Sequence, residues 1–239
     1  MAKNSDNLIF GKHAVFEAFD SEIKVEEVWT SCFNEIKSNV PRNIRINKVS
    51  AKEIDKLSGG AKHQGIVARI KAFEYCPLEE IIEKARGTEI SLIIVCDHIT
   101  DVHNLGAILR SAESVGADGV VIENARSATV TPTVYKTSAG AVNHMRIAKV
   151  ANVNQTIDAL KECGYWVVGA QERASQDIWD SNLEGRIALV LGNEEKGISK
   201  SVLANCDDTF KLPQRGKVSS LNVAQAATVF MYEWVRQNG

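Results

Sequence analysis

Along the first seventy residues the apolar positions recur in short, mixed patterns. Gly11 to Phe19 has helical apolar spacing, while Glu27-Val28-Trp29-Thr30 and Ile44-Arg45-Ile46 read as short strands. Ala51 to Leu57 predicts a helix closed by Gly59-Gly60, and Gly65 to Ile70 alternates like a strand. The pattern breaks at Phe73–Pro77, where Pro77 disfavours helix at the residue before it. A linker is expected there, followed by a helix from Leu78 to Ala85.

From Ser91 the pattern changes to strand, helix, strand, helix. Ser91 to Cys96 is a continuous apolar run, as expected of a strand buried on both faces. Leu105, Ile108, Leu109, Ala112 and Val115 then form a helical stripe, and Gly119 to Ile122 is a second strand. Ile157–Cys163 and Tyr165–Gly169 repeat the helix–strand pair, and Ile187 to Leu191 is another buried strand. The last helix places Val223, Ala226, Ala227, Phe230, Met231, Trp234 and Val235 on one wide apolar face. Alternating β and α with apolar strands predicts an α/β domain with a mostly parallel sheet flanked by helices. Three parts are expected: a small α/β unit over residues 1–72, a linker and helix over 73–87, and the larger domain over 88–239.

Composition adds exclusions. In 239 residues, 44% hydrophobic and 24% charged, the balance is that of a globular chain and not of a disordered one. No apolar run approaches the roughly 18 residues of a membrane span. The first six residues hold no apolar core of a signal peptide, so none is expected. Five cysteines, widely spaced and without a CxxC pair, argue against a disulfide framework or a zinc finger and for a reducing cytoplasm. The net charge of −2 conceals a division. Between Lys37 and Lys71 nine Lys or Arg face only Glu53 and Asp55, a local +7 that the rest of the chain offsets with −9. That segment, with Arg42, Arg45, Lys48 and Lys62 in it, is either a phosphate-facing surface or a solvated face.

Three stretches after apolar strands are richer in glycine and polar residues than a connection needs: Asp97–Ala117, Leu189–Ser199 and Leu212–Val229. In such sheets ligands bind beyond the carboxyl ends of the strands. None of the familiar dinucleotide, phosphate-loop, nucleophile-elbow or zincin motifs occurs. Asp97, His98, Asp101 and His103 fit no familiar metal-ligand spacing, and no metal is expected. In the first stretch Asn104 is the expected cap of the helix that Leu105 opens. Arg110 lies about 140° round that helix from Leu105, off the apolar stripe, either solvated or paired with Asp101, Glu113 or Ser114. In the second, Gly192 lets a ligand approach the backbone. In the third, Ser219 or Ser220 reads as a helix cap, leaving Asn222 as a first-turn residue.

Taken together, DHITDVHNLGAILRSAESVGADGVVI, LVLGNEEKGIS and LPQRGKVSSLNVAQAATVFMYE resemble the three motifs of the SpoU (TrmH-like) RNA ribose 2′-O-methyltransferases. The resemblance runs from Leu92 to the C-terminus. Before it, IFGKHAVFEAF and GAKHQGIVARIKAF resemble the small N-terminal RNA-binding domain of the RlmB-type members, which methylate a guanosine ribose in large-subunit ribosomal RNA.

The resemblance implies methyl transfer from S-adenosylmethionine to a ribose 2′-hydroxyl, without a metal. It implies catalytic positions at Asn104, Arg110, Glu194, Ser220 and Asn222, with Glu194 fixing Arg110 as a charge-assisted partner. A free guanidinium, with a pKa of about 12.5 or more, is a poor base. Arg110 is therefore expected first to grip a phosphate and stabilise the developing alkoxide, and only second to take the proton. The donor would sit in a trefoil-knotted crevice lined by Gly192, Leu212 and Leu221, a topology that chains otherwise avoid. Asn193, where the family often has a small residue, is expected to touch the donor or the guanosine. The expected partners are ribosomal RNA and a second copy of the chain, joined through the knotted domain. Two alternatives stand beside this reading: a transfer RNA substrate, and a non-catalytic RNA-binding protein on the same fold.

Overall fold

The computed structural model describes residues 8–20, 23–60, 62–217 and 220–239. Its contacts divide into two units: residues through Glu74 together with Val130–Lys136, and Tyr75–Thr129 with Thr137–Gly239. No helix among the described residues is long and apolar enough to cross a membrane.

The first unit runs β1 (Leu8–Phe10), α1 (Lys12–Phe19), β2 (Val25–Thr30), α2 (Phe33–Ile36), β3 (Arg45–Lys48), α3 (Ala51–Ser58) and β4 (Ile66–Ile70). The sheet order is β1-β4-β2-β3, with β4 antiparallel to both neighbours and β3 parallel to β2. Val15, Val28, Ile36, Ile66 and Ala68 form its core. Helix α3 is closed at both ends by its own chemistry. Ser50 and Glu53 form a reciprocal capping box, and Gly59 takes the left-handed conformation that ends a helix. Val130–Lys136 joins this unit from far along the chain, and Tyr135 packs beside Ala18, Ile23 and Ile70.

The second unit continues with α4 (Leu78–Lys84), β5 (Ser91–Cys96), α5 (Val102–Ser114), β6 (Gly119–Glu123), α6 (Pro132–Thr137, mostly in the first unit), β7 (Ile147–Val150) and α7 (Val153–Glu162). It is completed by β8 (Trp166–Ala170), β9 (Gln176–Asp177), β10 (Arg186–Leu191), α8 (Lys200–Ala204), β11 (Asp208–Lys211) and α9 (Val223–Asn238). Seven strands form one sheet in the order β7-β6-β5-β10-β8-β11-β9, and every pairing is parallel. All six residues of β5 are at most 1% exposed, which is why that strand reads as an unbroken apolar run. From β5 the chain winds outward through β6 and β7, then crosses back to build the other half beyond β10. The junction of β5 with β10 is thus the point where the winding reverses, and the carboxyl ends there carry the site. Gly106 in α5 lies where an added Cβ would meet the Thr137 side chain, so the helix can sit there only without one.

Candidate active site

The loops leaving β5 and β10 are tied to each other before any functional side chain is considered. The Asp97 amide donates to the Leu191 carbonyl at 2.8 Å, extending the strand pairing by one residue. Asp97, 1% exposed, accepts from the Ser199 amide at 2.6 Å and from the His98 ring at 2.7 Å. The β10 loop is a tight hairpin in which Asn193 and Gly197 exchange backbone hydrogen bonds of 3.1 and 2.9 Å. Asn193 holds it from inside: its Oδ1 accepts from the Glu195 and Lys196 amides, and its Nδ2 donates to the His98 carbonyl at 2.8 Å. Its polar atoms thus tie the two loops together, and Asn193 borders the crevices formed there.

Glu194 is the acceptor on which the site converges. It takes hydrogen bonds from the Thr100 amide and hydroxyl at 3.4 and 3.2 Å and from the Asp101 amide at 3.1 Å. Asn104 Nδ2 adds one at 3.1 Å and Asn193 Nδ2 another at 3.2 Å. Burial acts to raise its pKa, but these donors, Asn104 foremost, outweigh it and hold the carboxyl below the ordinary range. Asn104 in turn accepts from Asn222 Nδ2 at 2.8 Å. One relay thus joins the three sequence stretches: Asn222 to Asn104 to Glu194.

This relay corrects two cap assignments. Helix α5 begins at Val102, capped by Asp101, whose side chain accepts from the His103 amide. Asn104 lies in the first turn, 8% exposed, because its amide is drawn inward between Glu194 and Asn222. Helix α9 is capped by Asn222, whose Oδ1 accepts from the Ala224 amide at 2.9 Å. Ser220 therefore does not cap it, and Ser219 lies outside the described residues. Asn222 does two tasks at once, since the amide has both an acceptor for its own helix and a donor for Asn104.

The structure does not pair Arg110 with Glu194. Six residues along an α-helix place Arg110 about 120° round and about 9 Å beyond Asn104, and it is exposed. It forms no ion pair with Asp101 or Glu113, and Ser114 bonds only the Arg110 carbonyl. Its neighbour Ser111 lies 2.7 Å from the Thr228 hydroxyl, where α5 packs on α9.

Two crevices meet at the relay. The first, of about 460 Å³, is lined by Gly192, Leu212, Ser220, Leu221 and Phe230. A Cβ on Gly192 would lie under 3 Å from the Ile198 amide and the Gly197 carbonyl, so only glycine permits this turn. The second, of about 1030 Å³, shares the Asn193–Gly197 loop and Ser220–Leu221 but continues to Asp97, Asp101, Asn104 and Asn222.

Of the side chains Asp97, His98, Asp101 and His103, only the first two come together, and they do so with Glu123. The ligating atoms of these three lie within 4.8 Å of one another, with His98 Nδ1 2.7 Å from both Asp97 Oδ1 and Glu123 Oε2. Burial, reinforced by the charge of Asp97, pushes the Glu123 carboxyl above its ordinary pKa, although His98 opposes this.

The basic residues singled out in the first unit are spread over β3 and the segments before β3 and β4. Arg42 and Arg45 stand before and at the start of the edge strand β3, Lys48 at its end, and Lys62 in the turn before β4. Arg45 and Arg69 flank Glu27 at 3.8 Å each, and the Arg69 guanidinium lies 5.0 Å over the Trp29 ring.

Comparison with known proteins places the chain in a family. Residues 91–232 match the SpoU rRNA Methylase family, and residues 8–76 match the RNA 2′-O ribose methyltransferase substrate binding family. A putative TrmH family tRNA/rRNA methyltransferase of Staphylococcus haemolyticus is 38% identical over 97% of this chain and 96% of its own. YacO of Bacillus subtilis, a putative TrmH family tRNA/rRNA methyltransferase, is 38% identical over 99% and 98%. The solved structure of the SpoU methyltransferase AviRb from Streptomyces viridochromogenes with AdoMet covers 96% of this chain and 89% of that one. It has a TM-score of 0.65 and 25% identity. The fold and the family matches are those of an RNA methyltransferase that takes its methyl group from S-adenosylmethionine. The chain belongs to the SpoU methylase family.

Proposed function

We propose that the protein methylates the ribose 2′-hydroxyl of a guanosine in large-subunit ribosomal RNA. The observation that carries this reading is the relay from Asn222 through Asn104 to Glu194, set where the two crevices meet. The match of the first unit to a 2′-O ribose methyltransferase substrate-binding family supports the ribose as acceptor. The resemblance of that unit to the RlmB-type members supports ribosomal RNA over transfer RNA.

The residues suit the donor. Leu212, Leu221 and Phe230 offer an apolar slot for a purine, and Gly192 leaves backbone open beside it. When bound, S-adenosylmethionine supplies an electrophilic methyl group. The hydroxyl proton leaves to water as the ribose oxygen takes up the methyl, and the rest is alignment, which can supply roughly 7–11 kcal/mol of the barrier. Glu194 sets the position of Asn104, and Asn104 sets that of Asn222. Ser220, at the wall shared by both crevices, hydrogen-bonds near the acceptor hydroxyl. Arg110, outside the relay and exposed, grips an RNA phosphate.

In this reading residues 1–72 bind substrate, 73–87 connect, and 88–239 carry the knotted methyltransferase domain, within the cytoplasm. Arg42, Arg45, Lys48 and Lys62 attract RNA through phosphate charge. The protein acts as a homodimer, and exposed apolar surface on and beside α9 supports this. Trp179 and Tyr232 are 55% and 52% exposed and line one shallow groove with Val229. Nucleoside mass spectrometry after incubation with labelled donor and separate ribosomal and transfer RNA transcripts tests the assignment, since label confined to transfer RNA would move the substrate.

A further inference from the structure

The larger crevice carries more negative than positive groups by simple count, yet its acids are already satisfied by the protein. Asp97 is held by the Ser199 amide and His98, Asp101 by the His103 amide, and Glu194 by its five donors. Three cations on the same crevice are in the opposite state. Arg126, Lys196 and Lys200 are exposed, and among the described residues none forms an ion pair. Glu195 on the crevice, and Glu123 beside Arg126, are the acids nearest to offset them. The three cations, rather than the acids, are therefore the charged groups left free to reach a ligand, although the chain outside Lys37–Lys71 carries a net −9.

Their placement follows from strand order. Strands β6 and β10 flank β5 in the sheet. Arg126 stands on the loop after β6, Lys196 and Lys200 on and just after the loop following β10. The cations thus come from both sides of the β5 loop that leads to Asn104. A ribose presented to the relay has a phosphate on either side of it, and a group on each flank can hold one.

We infer that Arg126, Lys196 and Lys200 form a clamp for the backbone phosphates of the RNA strand that enters the larger crevice, fixing the target ribose against the Asn104–Asn222 relay. This rests on the reading that the site methylates RNA. The three act by positioning, since nothing places them at the reacting atoms.

The test uses the full-length protein and unmodified large-subunit ribosomal RNA made by transcription. The triple variant Arg126→Ala, Lys196→Ala, Lys200→Ala is compared with wild type, with Lys200→Glu as a second, milder probe. The expected result is at least a tenfold rise in KM for RNA, with a donor Kd by calorimetry within twofold of wild type. Filter binding across a salt series should give a slope of log Kd against log salt shallower by about 2, from about 0.7 per lost phosphate contact on three sites. An unchanged KM and slope in both variants overturns the clamp. Should the wild type transfer no methyl to this RNA, the functional reading fails instead, and the salt slope alone still decides the clamp.

Discussion

Asn222 and Asn104, 118 residues apart, are joined by a hydrogen bond of 2.8 Å in which Asn222 Nδ2 donates and Asn104 Oδ1 accepts. The same Asn222 side chain caps α9 through its oxygen. Its two ends therefore do separable work. Asn222→Asp keeps the cap acceptor and adds a charge that a helix N-terminus favours, but removes the donor. Its melting temperature should stay near wild type while turnover falls more than tenfold. Asn222→Ala should lose turnover and also about 1 kcal/mol of stability, read by denaturant titration. A loss of turnover below threefold in both, at saturating donor and RNA, would reduce Asn222 to a cap.

Arg110→Ala should abolish methyl transfer and leave donor binding nearly intact. The side chain is exposed and away from the first crevice, so its removal costs neither packing nor the donor pocket. Calorimetry with S-adenosylmethionine and a melting curve check this. A joint collapse of donor affinity and melting temperature would make Arg110 structural.

Glu194 predicts a pH dependence. Its folded pKa lies below the ordinary value, so the stability it contributes is fully present above about pH 4.5 and is lost as pH falls through the folded pKa. The gap in melting temperature between wild type and Glu194→Gln should be steady from pH 7 to about 5 and narrow below that. A gap that widens on acidification would contradict the hydrogen-bonded carboxylate.

Gly192→Ala should lower donor affinity at least tenfold and destabilise the protein, since the added carbon meets the backbone at Gly197 and Ile198, which cannot move aside as a side chain end would. Affinity within twofold of wild type would mean the loop repacks freely.

For the first unit, charge-swapping Arg42, Arg45 and Lys48 to Glu should weaken RNA binding more than tenfold and make its salt slope shallower, with donor binding untouched. The swap is cleaner than deleting residues 1–72, because Tyr135 would then lose Ala18, Ile23 and Ile70. An unchanged slope across a salt series would show a merely solvated face.

Much of the fold was legible where periodicity is long or burial complete. Strand β5, helix α5 and helix α9 each present a stripe or run that only one arrangement buries. Strands β9 and β11, of two and four residues, are too short to show a pattern, and the union of Val130–Lys136 with the first unit is a non-local contact. Asp101 and Asn104 are both good caps, and nothing local chooses between them. The choice is made by Glu194 and Asn222, which lie 90 and 118 residues further on. Arg110 and Glu194 stay apart within the chain because Arg110 lies six residues beyond Asn104 on α5, on another face than the one that meets the Glu194 loop. The roles of Asp97 and Asn193 in holding the β10 loop left no signal in the sequence beyond their polarity.

The central claim is transfer of a methyl group to a guanosine 2′-hydroxyl of large-subunit ribosomal RNA. The most direct measurement digests transcribed ribosomal RNA to nucleosides after incubation with the protein and donor carrying a labelled methyl group, and weighs the products. The account predicts label in 2′-O-methylguanosine and its loss with Arg110→Ala. Label in a base-methylated nucleoside, or none in any ribose, would contradict it.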